Sequence, residues 1–165
     1  MKEIVDLLVA SDGFASSNQM SLNLNRIDYA KLNSRQQENF NYQKISAVLA
    51  DYGFVTIRLS DDWQGADFIA QHIDGETFVK VQLKGRLTFS KKYIGKNLFI
   101  AFHTKGDWFL YPHDELMNVV LAQTGIGATL SWKKKRGGYS FPKLSRQLRE
   151  LLAPYRIAGS VRPVE

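Results

Sequence analysis

Asp67 ends the run Gly65-Ala66-Asp67 and opens an apolar stretch; after 14 further residues, Gln82 and Lys84 stand two apart in Val81-Gln82-Leu83-Lys84. Side chains two apart on an extended strand share a face. Gln82 and Lys84 are therefore predicted to point together, with Phe78 and Lys80 before them, while Val79, Val81 and Leu83 form an aliphatic face that reads as core. Between the two runs lies Asp74-Gly75-Glu76, and Asp-Gly is a strong hairpin signal. A hairpin there brings Asp67 to the 82–84 end of its partner strand. A carboxylate, an amide oxygen and an ammonium converging on one point could hold a hard divalent cation and a phosphate.

These residues resemble the PD-(D/E)xK nuclease superfamily. Asp67 followed by Gln82-x-Lys84 looks like the Gln-x-Lys variant of Mrr-type restriction enzymes, and Gly-Ala-Asp-Phe at a strand start is similar to Holliday-junction resolvases and related small nucleases. The resemblance covers residues 34 to about 121, where the predicted order of helix, three-strand meander, connector, strand and helix also matches. It implies an α/β (α+β) fold with a restriction-endonuclease-like core: a central mixed sheet of about five strands flanked by helices, with additions at both ends. The implied activity is that of a divalent-metal-dependent DNA endonuclease hydrolysing phosphodiester bonds. Asp67 would be the central ligand for Mg²⁺ (or Mn²⁺), Gln82 would offer its side-chain oxygen, and the Leu83 carbonyl would complete the set. Lys84 would position or activate the attacking water and offset charge on the phosphate. Two positions depart from the family pattern. Ala66 replaces the Pro of the family name, and Gln82 stands where Glu is commoner, which removes a negative charge from the metal site. The second departure keeps an alternative open: a catalytically inactive nuclease-like module that binds nucleic acid or a nuclease partner subunit.

Glu38 lies four residues before Tyr42 and seven before Ile45, on the predicted sheet-facing stripe of the first helix. A carboxylate on a buried stripe is costly unless it has a partner, and many superfamily members carry an acidic residue here that supports the metal. The other reading is a wet carboxylate complementing the helix dipole. Downstream, residues 85–96 interleave Arg86, Lys91, Lys92, Tyr93 and Lys96 with apolar residues. This stretch is predicted to grip a DNA backbone, with Tyr93 near a sugar or base, although a plain exposed connector has the same composition. Lys133, Lys134, Lys135 and Arg136 make a compact basic turn suited to phosphate contact or simply to solvent. Arg146 and Arg149 lie off the leucine face of the last helix and could extend that surface. His72, His103 and His113 lack ligand spacing and are expected to pack rather than bind metal. No phosphate-cradling glycine loop and no nucleophile-elbow serine is present, which argues against kinases, ATPases, dehydrogenases and serine hydrolases.

The elements that must position these residues follow from periodicity. Residues 1–10 read as one or two helical turns and 11–20 as loop, while 21–33 are ambiguous. Ser34 and Gln37 have capping-box spacing at the start of a helix carrying Tyr42, Ile45, Val48, Leu49 and Tyr52, with Gly53 as its stop. Strands are predicted over 54–59, 67–73 and 77–84, then 98–103 and 108–111 around the turn Lys105-Gly106-Asp107. Pro112-His113-Asp114 opens a helix. A strand is predicted over 129–133, a short one over 139–141, and a last helix beginning at Pro142 with Leu144, Leu148, Leu151 and Leu152 on its apolar face. The tail from Ala158 is expected to fray. The expected division is an extension (1–33), a nuclease-like core (34–121), a basic hairpin with a helix packed on the core (122–157) and a tail (158–165).

The 165 residues carry net charge +6, but the charge is unevenly spread: 1–79 hold −5 and 80–165 hold +11. That basic half favours a polyanionic partner through phosphate neutralisation and counterion release. With 44% apolar residues the chain can bury a real core, and the absence of cysteine removes disulfides, thiolate zinc sites and cysteine nucleophiles. No apolar run approaches the roughly 18 residues that span a bilayer. The acidic start Met1-Lys2-Glu3-Ile4-Val5-Asp6 is unlike a signal peptide, so a cytoplasmic location is expected. A chain this short is expected to cleave both strands of DNA as a homodimer or with a partner subunit.

Overall fold

A computed structural model of the chain describes residues 24–157, without the side chains of Asp62 and Trp63. The helical turns and loop expected over 1–20 and the tail from Ala158 lie outside the described residues. The chain divides into a first unit, Met1–Lys31, and a second, Leu32–Glu165. In the first, Tyr29–Lys31 form one 3-10 turn, with the Asp28 side chain accepting the Ala30 amide at 3.0 Å. Everything below concerns the second. Among the described residues no helix is long and apolar enough to cross a membrane.

The second unit is a mixed α+β fold. Helix α1 (Ser34–Ala50) is followed by β1 (Phe54–Trp63), β2 (Ala66–His72) and β3 (Phe78–Lys84), an antiparallel meander. A three-residue strand β4 (Thr88–Ser90) and a 3-10 turn (Lys91–Tyr93) lead to β5 (Leu98–Thr104), β6 (Asp107–Pro112) and α2 (His113–Gln123). One turn of helix, α3 (Leu130–Lys133), precedes β7 (Gly138–Ser140), α4 (Arg146–Leu152) and β8 (Arg156–Ile157). The main sheet has the order β1-β2-β3-β5-β6-β8, with β5 parallel to β3, while β4 and β7 pair separately.

Local chemistry accounts for most boundaries. The capping box of α1 forms one residue before the predicted pair: Asn33 accepts the Gln36 amide and Gln36 accepts the Asn33 amide, each at 2.9 Å. Asn caps at least as well as Ser. In the β2–β3 hairpin, Asp74 accepts the Glu76 and Thr77 amides at 2.9 and 2.8 Å around Gly75 at φ 76°. Two expectations fail. Residues 129–133 form no strand: the Thr129 hydroxyl caps a helical turn by accepting the Trp132 amide at 3.2 Å, which seats Trp132 in the core. The last helix starts at Arg146 rather than at Pro142, because Ser145 accepts the Leu148 amide at 3.3 Å. The central mixed sheet flanked by helices is as expected, with six strands where about five were expected, the sixth being the two-residue β8 on β6.

Strand alternation splits the apolar residues between two cores. Ile45 and Leu49 of α1 pack with Phe68, Ala70, Val81 and Ala101 on one side of the sheet. The opposite side, which carries Gln82 and Lys84 in register with Ile100 and Phe102, faces a larger core that includes Tyr111, Leu116, Val120, Leu148 and Leu152. The Gln82 face is therefore apolar around its few polar groups, because α2 and α4 cover it. Each large side chain buried in these cores contributes about 1.5–3 kcal/mol.

The connector between β3 and β5 is pinned by one buried histidine. His113 Nε2 accepts the Ser90 amide at 3.1 Å, so that nitrogen carries no proton, and Nδ1–H donates to Asp114 Oδ1 at 2.6 Å. Asp114 Oδ2 accepts the Gly95 amide at 2.8 Å. Ser90 and Gly95 bracket the turn that carries Tyr93. Burial pushes the His113 pKa below its ordinary 6.5, against the pull of Asp114. The folded state thus prefers the neutral ring, and the stability it contributes is present above about pH 6.5 and lost as pH falls through the depressed folded value. Melting curves between about pH 8 and about pH 5 are expected to show Tm falling in the acid half of that window. His113→Phe should cost about 1–3 kcal/mol at the neutral end, by orphaning the Ser90 amide, and should flatten the decline. An equally steep decline in the variant would assign the pH dependence to other groups.

Candidate active site

The site forms where two neighbouring strands part. The β2–β3 ladder ends at the pair Phe68–Val81, whereas the β3–β5 ladder continues through Lys84 and Phe102. Leu83 therefore offers its amide to no β2 carbonyl in that ladder. The Asp67 carboxylate takes it instead, with Oδ2 at 2.6 Å. The turn that sets this up needs Gly65: its φ is +95°, and an added Cβ would lie 2.8 Å from the Tyr93 ring. Both the backbone conformation and the close approach exclude a larger residue.

Gln82 completes the cluster. It is 8% exposed, and its Nε2 donates both to Asp67 Oδ2 and, at 3.3 Å, to the Leu83 carbonyl. Its Oε1 accepts the Tyr93 hydroxyl at 3.1 Å. The Lys84 ammonium lies 5.4 Å from the centre of the Tyr93 ring, on one edge of the cluster. Burial raises the Asp67 pKa above its ordinary 3.8, and the nearby Glu38 charge adds to the rise. The Leu83 amide, the Lys84 charge and the Gln82 amide oppose it.

The structure thus brings Asp67, Gln82, Leu83 and Lys84 together. It places Glu38 differently from the predicted buried stripe. The Glu38 carboxylate is exposed and accepts from Arg58 at 2.6 Å, with Arg58 also donating to Asn39 and lying 5.2 Å from the Tyr42 ring centre. Among the described residues no hydrogen bond joins Glu38 to Asp67, so its influence there is electrostatic. Tyr93 requires a correction. It is 1% exposed, so it cannot offer a face to a sugar or base. It is instead the residue that ties the connector to Gln82 and packs on Gly65, a role that sequence spacing did not reveal.

The remaining basic residues fall into two groups. Lys91 is half-buried, its ammonium 5.5 Å from the centre of the Trp132 ring and donating to the Lys134 carbonyl at 3.3 Å. Together with exposed Lys92, Lys133, Lys134, Lys135 and Arg136 it makes up a basic stretch at the ends of β4 and β7. Lys96 holds the Lys80 ammonium through its carbonyl at 2.6 Å. Exposed Arg86 belongs to a different surface, a cleft that also holds Arg149. His72 pairs with Asp74 at 2.9 Å and His103 lies against Trp108 with ring centres 5.3 Å apart, as packing groups.

Among the described residues no three His, Cys, Asp or Glu side chains converge as a metal site. Any cation at the fork would therefore rely on Asp67 together with neutral oxygens. The donor set fits a hard cation of the Mg²⁺ type: a carboxylate, a backbone carbonyl and an amide within reach of one another. At present the Gln82 NH₂ occupies the point between the Asp67 and Leu83 oxygens. Rotating that amide by half a turn would present Oε1 there and Nε2 to Tyr93, whose hydroxyl can accept as well as donate.

Because the folded-state pKa of Asp67 is raised, its stabilising contribution exists below its ordinary 3.8 and is lost as pH rises through the raised value; above that the ionised carboxylate costs stability. Asp67→Asn is therefore expected to raise Tm at neutral pH and to give no gain below about pH 4. Unchanged or lower Tm at neutral pH would contradict this. Tyr93→Phe should lower unfolding free energy in urea by about 0.5–1.5 kcal/mol through the lost bond to Gln82. No measurable loss would mean that this contact is dispensable.

No family model and no curated protein matches this chain. A search of solved structures finds similarity to Hjc, a Holliday junction resolvase of Archaeoglobus fulgidus, at 16% identity and a TM-score of 0.35, covering 42% of this chain and 74% of that one.

Proposed function

We propose that this protein is a divalent-metal-dependent nuclease acting on DNA, with its site at the fork between β2 and β3. The reading is supported by one observation above the others: Asp67, the Gln82 amide and the Leu83 carbonyl converge there with the Lys84 ammonium at their edge. The residue order is that of the PD-(D/E)xK resemblance. A bound Mg²⁺ or Mn²⁺ would supply Lewis-acid stabilisation of charge building on the scissile phosphate. Asp67, Gln82 and Leu83 would hold it. Lys84 would pair with a phosphate oxygen and orient the attacking water, which adds across one P–O ester bond. Tyr93 is a positioning residue, since it sets the orientation of the Gln82 amide. Glu38, engaged by Arg58, would add negative field near Asp67 rather than a ligand. The basic residues Lys91, Lys92 and Lys133 to Arg136 would bind the phosphate backbone. Cutting both strands in one binding event would call for a homodimer or a partner subunit.

The Gln82–Asp67 hydrogen bond also favours a second reading, a nuclease-like module that binds nucleic acid or a nuclease partner without cutting. It closes the acceptors on an amide proton, and Gln supplies no charge to displace it.

Plasmid, branched and single-stranded DNA, each with Mg²⁺ or Mn²⁺, would separate the two readings. The first expects cleavage that Lys84→Ala and Asp67→Ala lower by at least about 10²-fold while DNA binding persists. Calorimetric titration with Mn²⁺ should then show binding that Asp67→Ala abolishes and Gln82→Glu strengthens. No cleavage and no Mn²⁺ binding by the wild type, with salt-sensitive DNA binding intact, would leave the second reading standing.

A further inference from the structure

The sheet face that carries Gln82 is covered by α2 and α4 over β5 and β6, but it lies open over the hairpin end of β1, β2 and β3. Register there aligns two rows across the three strands: Val55, Gln71 and Phe78, then Ile57, Ile69 and Lys80. Val55, Ile57 and Phe78 are 64%, 52% and 56% exposed, and Ile73 in the adjoining turn is 79% exposed. Helix α1 packs on the opposite face, where Tyr42 and Ser46 bond the Thr56 hydroxyl. The Lys80 ammonium is turned to the Lys96 carbonyl at 2.6 Å. That leaves one polar group unengaged in the middle of the first row. Gln71 is half-buried, and among the described residues no hydrogen bond takes up its side-chain amide.

We propose that two copies of the chain meet through this face about a two-fold axis, with Gln71 of each copy facing Gln71 of the other. A polyanion or an anionic membrane would find no unengaged cation in either row and would meet Asp74 and Glu76 on the hairpin. A wholly apolar partner would cover Val55, Ile57 and Phe78 but would bury the Gln71 amide with nothing to bond, which is unfavourable. A charged partner group that satisfied the amide would itself have to leave water. A second Gln71 meets both requirements. A primary amide carries donors and an acceptor, so two of them facing one another exchange a reciprocal pair of hydrogen bonds. An isologous contact sets a residue on the axis against its own copy. With the axis along the strands Val55 then faces Phe78 of the other copy, and with the axis across them each faces itself; both arrangements are apolar on apolar. Patches of about 300–600 Å² are the largest that typical monomers expose. Two of them in contact bury roughly 600–1,200 Å², the range of reversible rather than permanent pairs. The contact leaves the fork open, since Lys84 lies six residues beyond Phe78 along β3, roughly 20 Å at the usual strand rise. Using two forks on the two strands of one DNA rests on the nuclease reading, whereas the pairing itself does not.

Sedimentation velocity of the full-length chain, from about 1 µM to about 100 µM, would read the pairing directly. The wild type is expected to form a reversible dimer within that range. Gln71→Glu and Gln71→Lys, each alone, would set like charges face to face and should weaken the dimer by at least about tenfold. An equimolar mixture of the two variants should restore it, because a carboxylate then faces an ammonium across the axis. Only contact of position 71 with its own copy predicts that rescue. Val55→Asp with Phe78→Asp should abolish the dimer while the far-UV circular dichroism stays that of the wild type, since both side chains are exposed. A wild type that stays monomeric would overturn the proposal. So would a dimer that survives both substitutions of Gln71, which would place the contact on another surface, or a mixture that stays monomeric. Lys84→Ala should dimerise like the wild type whether or not the wild type cuts DNA, so the pairing and the nuclease reading can fail separately.

Discussion

A backbone amide that leaves its ladder must find another acceptor, and in this protein that requirement falls on Leu83. Beyond Phe68 and Val81 the strands β2 and β3 no longer pair, while β3 stays bonded to β5. An unsatisfied amide at this depth would cost about 1–3 kcal/mol. Asp67 meets the need, and in doing so is drawn into surroundings that resist its charge. The same event creates the gap between strands and places the acid in it. Everything polar nearby is arranged around that carboxylate: the Gln82 amide donates to it, the Lys84 charge offsets it, and Glu38 adds a field held in place by Arg58.

Tyr93 links this fork to the rest of the fold. Its ring packs where Gly65 has no side chain, its hydroxyl fixes one end of Gln82, and the ammonium groups of Lys84 and Lys92 lie over it at 5.4 and 4.7 Å from the ring centre. The turn carrying it is itself held through Ser90 and Gly95 by the His113–Asp114 pair. The geometry at the fork is thus tied through the connector to the first residues of α2. A neutral buried histidine with a defined tautomer is a suitable anchor, since its two nitrogens face one donor and one acceptor.

Regular elements were legible where a local pattern and a local stop agreed. The meander from 54 to 84 shows in alternation and in Asp74-Gly75, and the clustering of Asp67 with 82–84 follows from hairpin geometry alone. The failures share a cause: the deciding contact lies far along the chain or depends on one capping side chain. Thr-Leu-Ser-Trp alternates like a strand, yet with no strand beside it the Thr129 cap turned it into helix. Tyr93 looked like an exposed aromatic among lysines, and only the fold shows that it reaches Gln82, 11 residues back. Glu38 lies on a face that periodicity identifies, but Arg58, 20 residues later, decides where its carboxylate goes. The cleft holding Arg86 and Arg149 draws residues from β5, β6 and α4, so no window of sequence could display it.

The small β4–β7 pair has a consequence for the order of folding. It bonds Thr88 to Ser140 across 52 residues of chain, and the Gly137 carbonyl takes the Lys91 amide at 2.9 Å. Contacts of such long separation pay their loop-closure entropy late. The antiparallel β1–β2–β3 meander can zip up from near neighbours, but the segment bearing Tyr93 gains this support only when the chain has returned through 137–140. Newly made protein would therefore own a sheet before it owns an aligned amide at Gln82, a built-in delay between acquiring shape and acquiring chemistry.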